Sequence, residues 1–281
     1  MTARLLHGRP VADAIWASVY EDAAAFAARV GRPACLGVIG GADDAAAAYA
    51  RQIERQFSRR GLSVTQRDVD GPRVVAAVAS MSNDSAIDGV LLLTPLPAGA
   101  DPVAAALAID PDKDVDGQHP TSLGRLAQRR GHFAPATALG GLRLLQHYGI
   151  PVAGGRTVVV GRSPVVGLPL ALLLLDSNAT VTVCHSRTPD LAAVTRAADL
   201  LCVAVGRPAL IGPEHVRPGA VVLDFGTHPT DDGMVGDVQT EAVREVASAI
   251  TPVPGGTGPT TVAVLAQQTL RAAHKHERLG I

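Results

Sequence analysis

The sequence lacks several features that mark particular classes of protein. Its three cysteines, Cys35, Cys184 and Cys202, have no C-x-x-C spacing, so we expect reduced thiols and no metal site. No apolar run reaches the roughly 18 residues that a membrane-spanning helix needs, and the start of the chain has no signal-peptide core. The formal charge of -1 provides no basic field for nucleic acid. These absences predict a cytoplasmic globular protein without nucleic-acid or membrane partners.

Lysine is nearly absent as well. Lys113 and Lys275 are the only lysines among the 25 basic residues, and the others are arginines. An arginine keeps its proton at any ordinary pH, whereas a buried lysine can lower its pKa and work as an acid or base. A codon bias that replaces surface lysine by arginine explains most of these positions. A reaction that needs a lysine nevertheless has two candidates here.

The 281 residues alternate strand-like and helix-like runs, which predicts parallel βαβ units with right-handed crossovers. Helices are expected over 13–30, 45–60, 73–81, 138–147 and 260–274, and strands over 35–40, 64–69, 89–94, 157–160, 180–184, 200–205 and 220–225. A proline- and glycine-marked stretch over 95–120 breaks this rhythm, and loops of that length are usually functional. We therefore predict an α/β protein whose second half is a nucleotide-binding domain, with a last helix that returns to the first domain.

The run 157–169 indicates a buried strand, a tight glycine-bearing loop and the first turns of a helix. Such a helix would direct free backbone N–H groups and a partial positive charge at a ligand above the loop, which suits a phosphate. Gly161 and Gly167 are six residues apart, so the pattern is not G-x-G-x-x-G. The alternative is that this turn only connects a strand to a helix.

The end of the next strand carries a hydroxyl and a cation where an acidic residue would bind the 2′-hydroxyl of NAD. Ser186 and Arg187 follow the strand that ends at Cys184. This pair favours the 2′-phosphate of NADP, with Arg162 as a second cation. The alternative is that Ser186 and Arg187 only cap the next helix.

Two other segments have no obvious structural role. Four carboxylates lie between Asp110 and Gly117, but a calcium loop needs regular oxygen ligands and a closing glutamate, which are missing. One buried aspartate there could instead pair with the planar N–H edge of a heterocycle. The Pro-Gly-Gly run 254–256 offers close backbone approach to a flat ligand.

Five motifs occur together and span essentially the whole chain. They are Asp114-Val-Asp116-Gly117, Gly161-Arg-Ser-x-Val165-Val-Gly-x-Pro169, Cys184-His-Ser186, Asp224-x-Gly226 and Thr251-Pro-Val-Pro-Gly-Gly-x-Gly-Pro-x-Thr261. Together they resemble the methylenetetrahydrofolate dehydrogenase/methenyltetrahydrofolate cyclohydrolase family of the bacterial FolD type, and the last motif is highly specific. The resemblance implies two α/β domains flanking a cleft, the second Rossmann-like, usually as a homodimer. It also implies an oxidoreductase of one-carbon metabolism that uses NADP and a tetrahydrofolate derivative.

The resemblance extends to domains and site residues. Residues 1–137, completed by a helix over 257–281, are expected to bind folate, and residues 138–256 are expected to bind NADP. The residues expected at NADP are Gly161, Arg162, Ser163, Gly167, Ser186, Arg187 and Thr227. Those expected at folate are the catalytic pair Tyr49 and Asp116, of which Asp116 would hold the pterin edge, and the loop residues Pro254, Gly255, Gly256 and Gly258.

Three positions depart from the family pattern. Where the family has Tyr-x-x-x-Lys, Tyr49 is present but the lysine is replaced by Ile53, and residues four apart share one helix face. A family glutamine is replaced by Leu93, and a family serine by Ala46. Lys113 matches an ordinary lysine of the family and does not substitute for the missing one.

The two reactions of the family make different demands on these positions. Hydride transfer from 5,10-methylenetetrahydrofolate needs mainly positioning, because the adjacent nitrogen lone pair stabilises the cation. Hydrolysis of the 5,10-methenyl cation needs a proton carrier, whose loss costs on the order of 10²- to 10⁴-fold. We therefore predict an NADP-dependent dehydrogenase whose cyclohydrolase activity is weak or lost. The alternatives are an oxidoreductase paralogue acting on another heterocycle and a non-catalytic folate- and NADP-binding protein.

Overall fold

The computed structural model describes residues 2–130, 133–231 and 233–279. Its strands are β1 (Arg4–Leu5), β2 (Cys35–Ile39), β3 (Ser63–Arg67), β4 (Gly89–Leu92), β5 (Arg156–Val160), β6 (Thr180–Cys184), β7 (Leu200–Val203), β8 (Val221–Asp224), β9 (His228–Thr230), β10 (Gly233–Val235) and β11 (Ala249–Ile250). Its α-helices are α1 (Gly8–Val30), α2 (Asp44–Ser58), α3 (Val74–Asn83), α4 (Pro102–Leu107), α5 (Pro120–Ala127), α6 (Ala136–His147), α7 (Gly167–Asp176), α8 (Leu191–Thr195), α9 (Thr240–Val243) and α10 (Gly258–Leu279). The last two residues of the helix expected over 257–281 lie outside the described part.

The chain forms two compact units. Unit 1 contains Met1–Asp13 and Thr137–Thr261, and unit 2 contains Ala14–Ala136 and Val262–Ile281. These units differ from the expected domains at the N-terminus, where residues 2–13 lie in unit 1. The cause is β1, which pairs in parallel with β11 and so extends the sheet of unit 1.

Unit 1 contains a six-stranded sheet in the order β1-β11-β8-β7-β5-β6, and its strand pairs are all parallel. The inner strands β5, β7, β8 and β11 are largely buried, and the longer three are rich in valine and leucine, as expected for parallel strands covered on both faces. From β5 the chain moves outward to β6 and then returns past β5 to β7 and β8. The strand order reverses between β5 and β7, and in such sheets ligands bind at the carboxyl ends of the strands beside that point.

Unit 2 contains a three-stranded parallel sheet in the order β3-β2-β4. Every residue of the central strand β2 and of β4 is buried. Its core contains large apolar side chains from strands and helices, among them Phe57, Met81 and Ile39. Parallel βαβ units thus account for both sheets, as the alternating pattern predicts.

Several elements differ from the sequence-based expectation. Helix α1 begins at Gly8 rather than at residue 13, because Pro10 lies in the first turn, where its missing N–H is not needed. The expected long loop over 95–120 contains α4, which Asp101 caps by accepting N–H groups of Val103 and Ala104 at 2.9 and 3.1 Å. Among the described residues, no helix combines the length and apolarity needed to cross a bilayer.

Candidate active site

The glycine loop of unit 1 joins β5 to α7 and depends on two close backbone approaches. Gly161 has a φ of +126°, and a methyl group on it would lie 2.1 Å from the carbonyl oxygen of Ala204. A methyl group on Gly167 would lie 2.2 Å from the carbonyl oxygen of Gly161. Only glycine fits either position, so this loop packs tightly beside the end of β7.

Ser163 bonds the backbone donors at the start of α7. Its Oγ accepts the N–H of Val166 at 3.1 Å and that of Gly167 at 3.3 Å. The expectation that free N–H groups at this helix start face a phosphate is therefore wrong for these two donors, because a loop hydroxyl caps them. The hydroxyl proton of Ser163 is used in neither bond, so Ser163 itself can donate a hydrogen bond to a ligand.

The cations expected at NADP are exposed at the same edge of the sheet. Gly161 donates its N–H to the carbonyl of Cys184 at 2.9 Å, which places the turn after β6 beside the glycine loop. Arg162, Ser186 and Arg187 are exposed, and neither arginine forms an ion pair with a described residue. Two uncommitted guanidinium groups and a hydroxyl fit a phosphate, which accepts charge-assisted hydrogen bonds.

The capping alternative for Ser186 and Arg187 is wrong. Helix α8 begins only at Leu191, and its N-cap is Asp190, whose carboxylate accepts the N–H of Ala193 at 3.1 Å. The backbone N–H of Arg187 instead donates to Nδ1 of His185 at 3.2 Å, which holds the turn. The Ser186 and Arg187 side chains thus have no role in starting the helix.

Asp237 is a residue of this edge that sequence reasoning missed. Its buried carboxylate accepts the backbone N–H groups of three successive residues, Val205, Gly206 and Arg207, at 2.7 to 3.0 Å. It also lies 2.8 Å from Nε2 of His228, the residue after the exposed Thr227. Because no sequence spacing relates residue 237 to residue 205, only the fold reveals that Asp237 fixes the loop after β7.

The Pro-Gly-Gly loop expected at folate also lies in unit 1. Gly255 has a φ of +104°, and its carbonyl accepts the N–H of Gly8 at 2.8 Å. A methyl group on Gly8 would lie 1.9 Å from the carbonyl oxygen of Gly256. The N-terminal segment thus supports this loop, which ends at Gly258, where α10 begins.

In unit 2, helix α2 carries Ile53, at the position where the family resemblance implies a lysine. Its buried residues are Ala46, Ala50, Ile53 and Phe57, a helical spacing that presents one apolar face to the core. Ile53 is 0% exposed, whereas Tyr49 is half-buried. The residue at the lysine position is therefore part of the hydrophobic core.

The other two altered positions lie together at the carboxyl ends of β2 and β4. A methyl group on Gly41, just after β2, would lie 2.3 Å from Cβ of Ala46 and 3.4 Å from Cβ of Leu93. Ala46 and Leu93 are both buried. Two of the three positions expected to depart from the family pattern thus place hydrocarbon around one point of the unit.

Asp116 reaches the same end of the sheet because its segment runs alongside β4. The N–H of Val90 donates to the carbonyl of Lys113 at 2.7 Å, and the side chain of Gln118 bonds both the N–H and the carbonyl of Leu92 at 2.9 Å. Asp116 lies between these two attachments, towards the carboxyl end of the strand. Asp114 instead holds the turn, because its buried carboxylate accepts the N–H groups of Gln118 and His119.

The charge of Asp116 acts on Tyr49. Oδ1 of Asp116 accepts the N–H of Ala136 at 2.7 Å. Loss of water raises the pKa of Asp116 to about 7, and the charge of Asp114 adds to this effect. Burial and the charge of Asp116 raise the pKa of the Tyr49 phenol. At neutral pH the pair therefore offers a titrating carboxyl group and a phenol that keeps its proton.

Both lysines of the chain are occupied elsewhere in unit 2. Nζ of Lys113 donates to the carbonyl of Asp84 at 2.7 Å, and Nζ of Lys275 lies 2.6 Å from Asp112. Asp84 precedes β4 and Leu93 follows it, so the length of the strand, about 3.3 Å per residue, separates the Lys113 amine from the altered positions.

Comparisons with known proteins identify the family of the chain. A family model described as tetrahydrofolate dehydrogenase/cyclohydrolase, catalytic domain, matches residues 6–116, and its NAD(P)-binding domain counterpart matches residues 135–277. The chain belongs to this family. The bifunctional protein FolD of Thermomicrobium roseum is 50% identical over 277 residues, which cover 97% of this chain and 96% of that protein.

Solved structures of family members have the same fold. The FolD methylenetetrahydrofolate dehydrogenase/cyclohydrolase of Campylobacter jejuni is 33% identical, with a TM-score of 0.93 over 98% of this chain and 99% of that one. The Trypanosoma brucei enzyme, complexed with NADP cofactor and an inhibitor, is 34% identical, with a TM-score of 0.93 over 99% of each chain. The predicted family, α/β fold and NADP cofactor are thus confirmed, and this family member is a dehydrogenase/cyclohydrolase-type enzyme. The individual site residues stay predictions.

Proposed function

We propose that this enzyme oxidises 5,10-methylenetetrahydrofolate to 5,10-methenyltetrahydrofolate with NADP⁺ and that its cyclohydrolase step is weak or lost. The observation that carries the proposal is the fully buried Ile53 at the lysine position. Ala46 and Leu93 add buried hydrocarbon where the family pattern has polar groups. The cofactor residues, in contrast, match the family.

In unit 1, four side chains would hold the phosphates of NADP. Arg162, Ser186 and Arg187 would bind the 2′-phosphate, which NAD lacks, and the free proton of the Ser163 hydroxyl would go to a bridging phosphate. The backbone at Thr227 would line the same edge. When bound, NADP⁺ accepts the hydride from the methylene carbon.

For the folate, Asp116 would pair with the N–H edge of the pterin through its free Oδ2, since Oδ1 accepts the N–H of Ala136. Tyr49 would donate a hydrogen bond, because its raised pKa keeps the phenol protonated. Pro254, Gly255, Gly256 and Gly258 would give a flat ligand close access to the backbone.

The two half-reactions differ in their need for protons. Oxidation breaks one C–H bond of the methylene bridge, the hydride leaves with its electron pair, and the neighbouring nitrogen stabilises the cation without any proton transfer. Hydrolysis adds water to that carbon, removes a proton from the water and protonates a ring nitrogen as the C–N bond breaks. Ile53, Leu93 and Ala46 can neither take nor give a proton.

The test is to measure both half-reactions on the purified protein, beside the bifunctional enzyme of Campylobacter jejuni as the reference. We expect NADPH formation at a rate comparable to the reference and enzymatic hydrolysis of the methenyl compound on the order of 10²- to 10⁴-fold slower. Equal ratios of the two rates in both proteins would contradict the loss. Absence of NADPH formation would favour a paralogue for another heterocycle, and folate binding without turnover would favour a non-catalytic binder.

We also propose a homodimer formed through unit 1. Strand β6 is an edge of the sheet, and its Val183 is exposed, as is Leu168 on α7. Exposed apolar side chains on an edge strand and a nearby helix are suited to pairing with a second copy. Light scattering should give twice the monomer mass, and a Val183→Lys variant should give the monomer mass.

A further inference from the structure

The Asp224-x-Gly226 motif has no role in the proposed function so far. We propose that Asp224 is a positioning residue that joins two parts of unit 1, so that each part affects ligand affinity at the other. The first part is the folate loop, residues 251–258, and the second is the cofactor segment, residues 225–228. The inference rests on the proposed function insofar as it assigns the folate loop to the substrate.

The side chain of Asp224 holds the cofactor segment. Its Oδ1 accepts the N–H of Gly226 at 2.8 Å and that of Asp237 at 3.1 Å, and its Oδ2 accepts the N–H of Val238 at 2.9 Å. Gly226 directly precedes Thr227, the residue expected at NADP. A change in the position of this carboxylate therefore moves the backbone on which the cofactor would lie.

Through Asp237, Asp224 also influences the loop after β7. Asp237, which Asp224 holds through its N–H, uses its own carboxylate to bind the N–H groups of Val205, Gly206 and Arg207. A methyl group on Gly236 would lie 1.9 Å from Oδ2 of Asp224, so backbone packs directly on the carboxylate. Close packing leaves no space in which Asp224 could shift without moving these segments.

The backbone of Asp224 holds the folate loop at both of its ends. The N–H of Asp224 donates to Oγ1 of Thr251 at 2.8 Å, and Oγ1 of Thr257 donates to the carbonyl of Asp224 at 3.2 Å. Asp224, Thr251 and Thr257 are all buried. One residue thus holds the folate loop through its main chain and the cofactor segment through its side chain.

The test uses NADPH alone as the ligand, with binding measured from its fluorescence in the absence of any folate. Thr257→Val removes only the hydroxyl that bonds the Asp224 carbonyl, and Thr257→Ser keeps it. A single hydrogen bond of this kind corresponds to about a two- to tenfold change in affinity. We expect Thr257→Val to weaken NADPH binding by that factor and Thr257→Ser to retain wild-type affinity.

Thr269→Val is the matched control, because Thr269 is also buried and its hydroxyl donates to the carbonyl of Leu265 within helix α10 at 2.9 Å. It should leave NADPH affinity unchanged. Thr251→Val offers a second test should Thr257→Val fail to fold, because it leaves the N–H of Asp224 without its acceptor. Thermal unfolding of every variant separates loss of coupling from loss of stability.

Kinetics give a second measurement, in which Thr257→Val should raise the KM for NADP and the KM for methylenetetrahydrofolate together, with Thr257→Ser near wild type in both. A rise confined to the folate KM, with unchanged NADPH affinity, would overturn the inference. Equal weakening in Thr257→Val and Thr257→Ser would also overturn it. If the wild type binds NADPH but does not oxidise the folate, the proposed function fails while the NADPH titration still decides the coupling.

Discussion

The carboxyl ends of the two parallel sheets differ in how they use polar side chains. In unit 1, Arg162, Ser186 and Arg187 are exposed and have no part in capping the next helix. In unit 2, Ile53 and Leu93 are buried where the family pattern has a lysine and a glutamine. On the proposed assignment, unit 1 keeps side chains that would bind the cofactor, and unit 2 has hydrophobic core at positions that would need a proton carrier. The comparison predicts that ligand binding can be kept within this fold while proton transfer is lost.

The largest expected effect comes from placing in unit 2 the lysine and the glutamine that the family pattern has at positions 53 and 93. Ile53→Lys with Leu93→Gln places an amine in a buried position, where desolvation lowers its pKa towards neutrality and makes it a useful acid or base. We expect hydrolysis of the methenyl compound to rise on the order of 10²-fold, with the dehydrogenase rate changing far less. Both rates are measured on the same preparation.

Ile53→Met with Leu93→Met is the matched control, because it keeps both positions apolar. Lys113→Met should also leave hydrolysis unchanged, since the Lys113 amine is bonded to the Asp84 carbonyl. A folded Lys/Gln variant without any gain in hydrolysis would show that the difference between the units does not explain the chemistry.

A smaller effect tests the residues of unit 1 that are expected to bind the cofactor. Arg162→Ala with Arg187→Ala should raise the KM for NADP about 10- to 100-fold, because charge-assisted hydrogen bonds contribute more than neutral ones. The KM for NAD, which lacks the 2′-phosphate, should change little. Arg196→Ala is the control, since Arg196 is exposed in the same unit and donates to the Glu214 carbonyl at 2.9 Å. Equal losses with both cofactors would contradict the assignment.

The smallest effect concerns the pH dependence of Asp116. Burial raises the pKa of this carboxyl from 3.8 to about 7, so the folded protein binds the proton more tightly than the unfolded chain does. Stability from this group is therefore present below pH 3.8 and is lost as the pH rises through 7. Relative to wild type, Asp116→Asn should gain free energy of unfolding across that range, as urea unfolding at pH 5 and pH 8 can measure.

The same variant has a kinetic consequence. In the wild type the KM for folate should rise as the pH falls below 7, because the carboxylate is lost to protonation. Asp116→Asn should have a higher KM that no longer varies over this range. The exposed Asp44→Asn on α2 is the control and should keep the wild-type profile. A pH-dependent KM that survives in Asp116→Asn would assign the titration to another group.

The elements that the sequence predicts well are those in which a pattern of apolar and polar side chains repeats over several residues. Strand β6 was expected over 180–184 and lies there, and α2 differs from expectation by one or two residues at its ends. Strands β1 and β11 have only two residues each, too few for any periodicity. Their pairing depends on contacts between distant parts of the chain, which is why the compact units differ from the expected domains at the N-terminus.

The site was predictable only where a residue type carries its own chemistry. The expectation that Arg162 and Ser186 bind a phosphate follows from a charge and a hydroxyl group placed after two strands. The bond between Ser163 and the start of α7, in contrast, depends on the exact path of the loop. The role of Asp237 depends on the hairpin of β9 and β10, which brings the chain back to the loop after β7. Each of these strands has three residues, too few to be predicted from the sequence.

The most direct test of the central claim is one time course of the wild-type enzyme with methylenetetrahydrofolate and NADP⁺. NADPH and methenyltetrahydrofolate are followed together, with the uncatalysed hydrolysis of the methenyl compound measured in the same buffer. If unit 2 has lost its proton carrier, methenyltetrahydrofolate accumulates in a ratio close to one per NADPH after that correction. A ratio that falls well below one, with 10-formyltetrahydrofolate formed in its place, would contradict the claim.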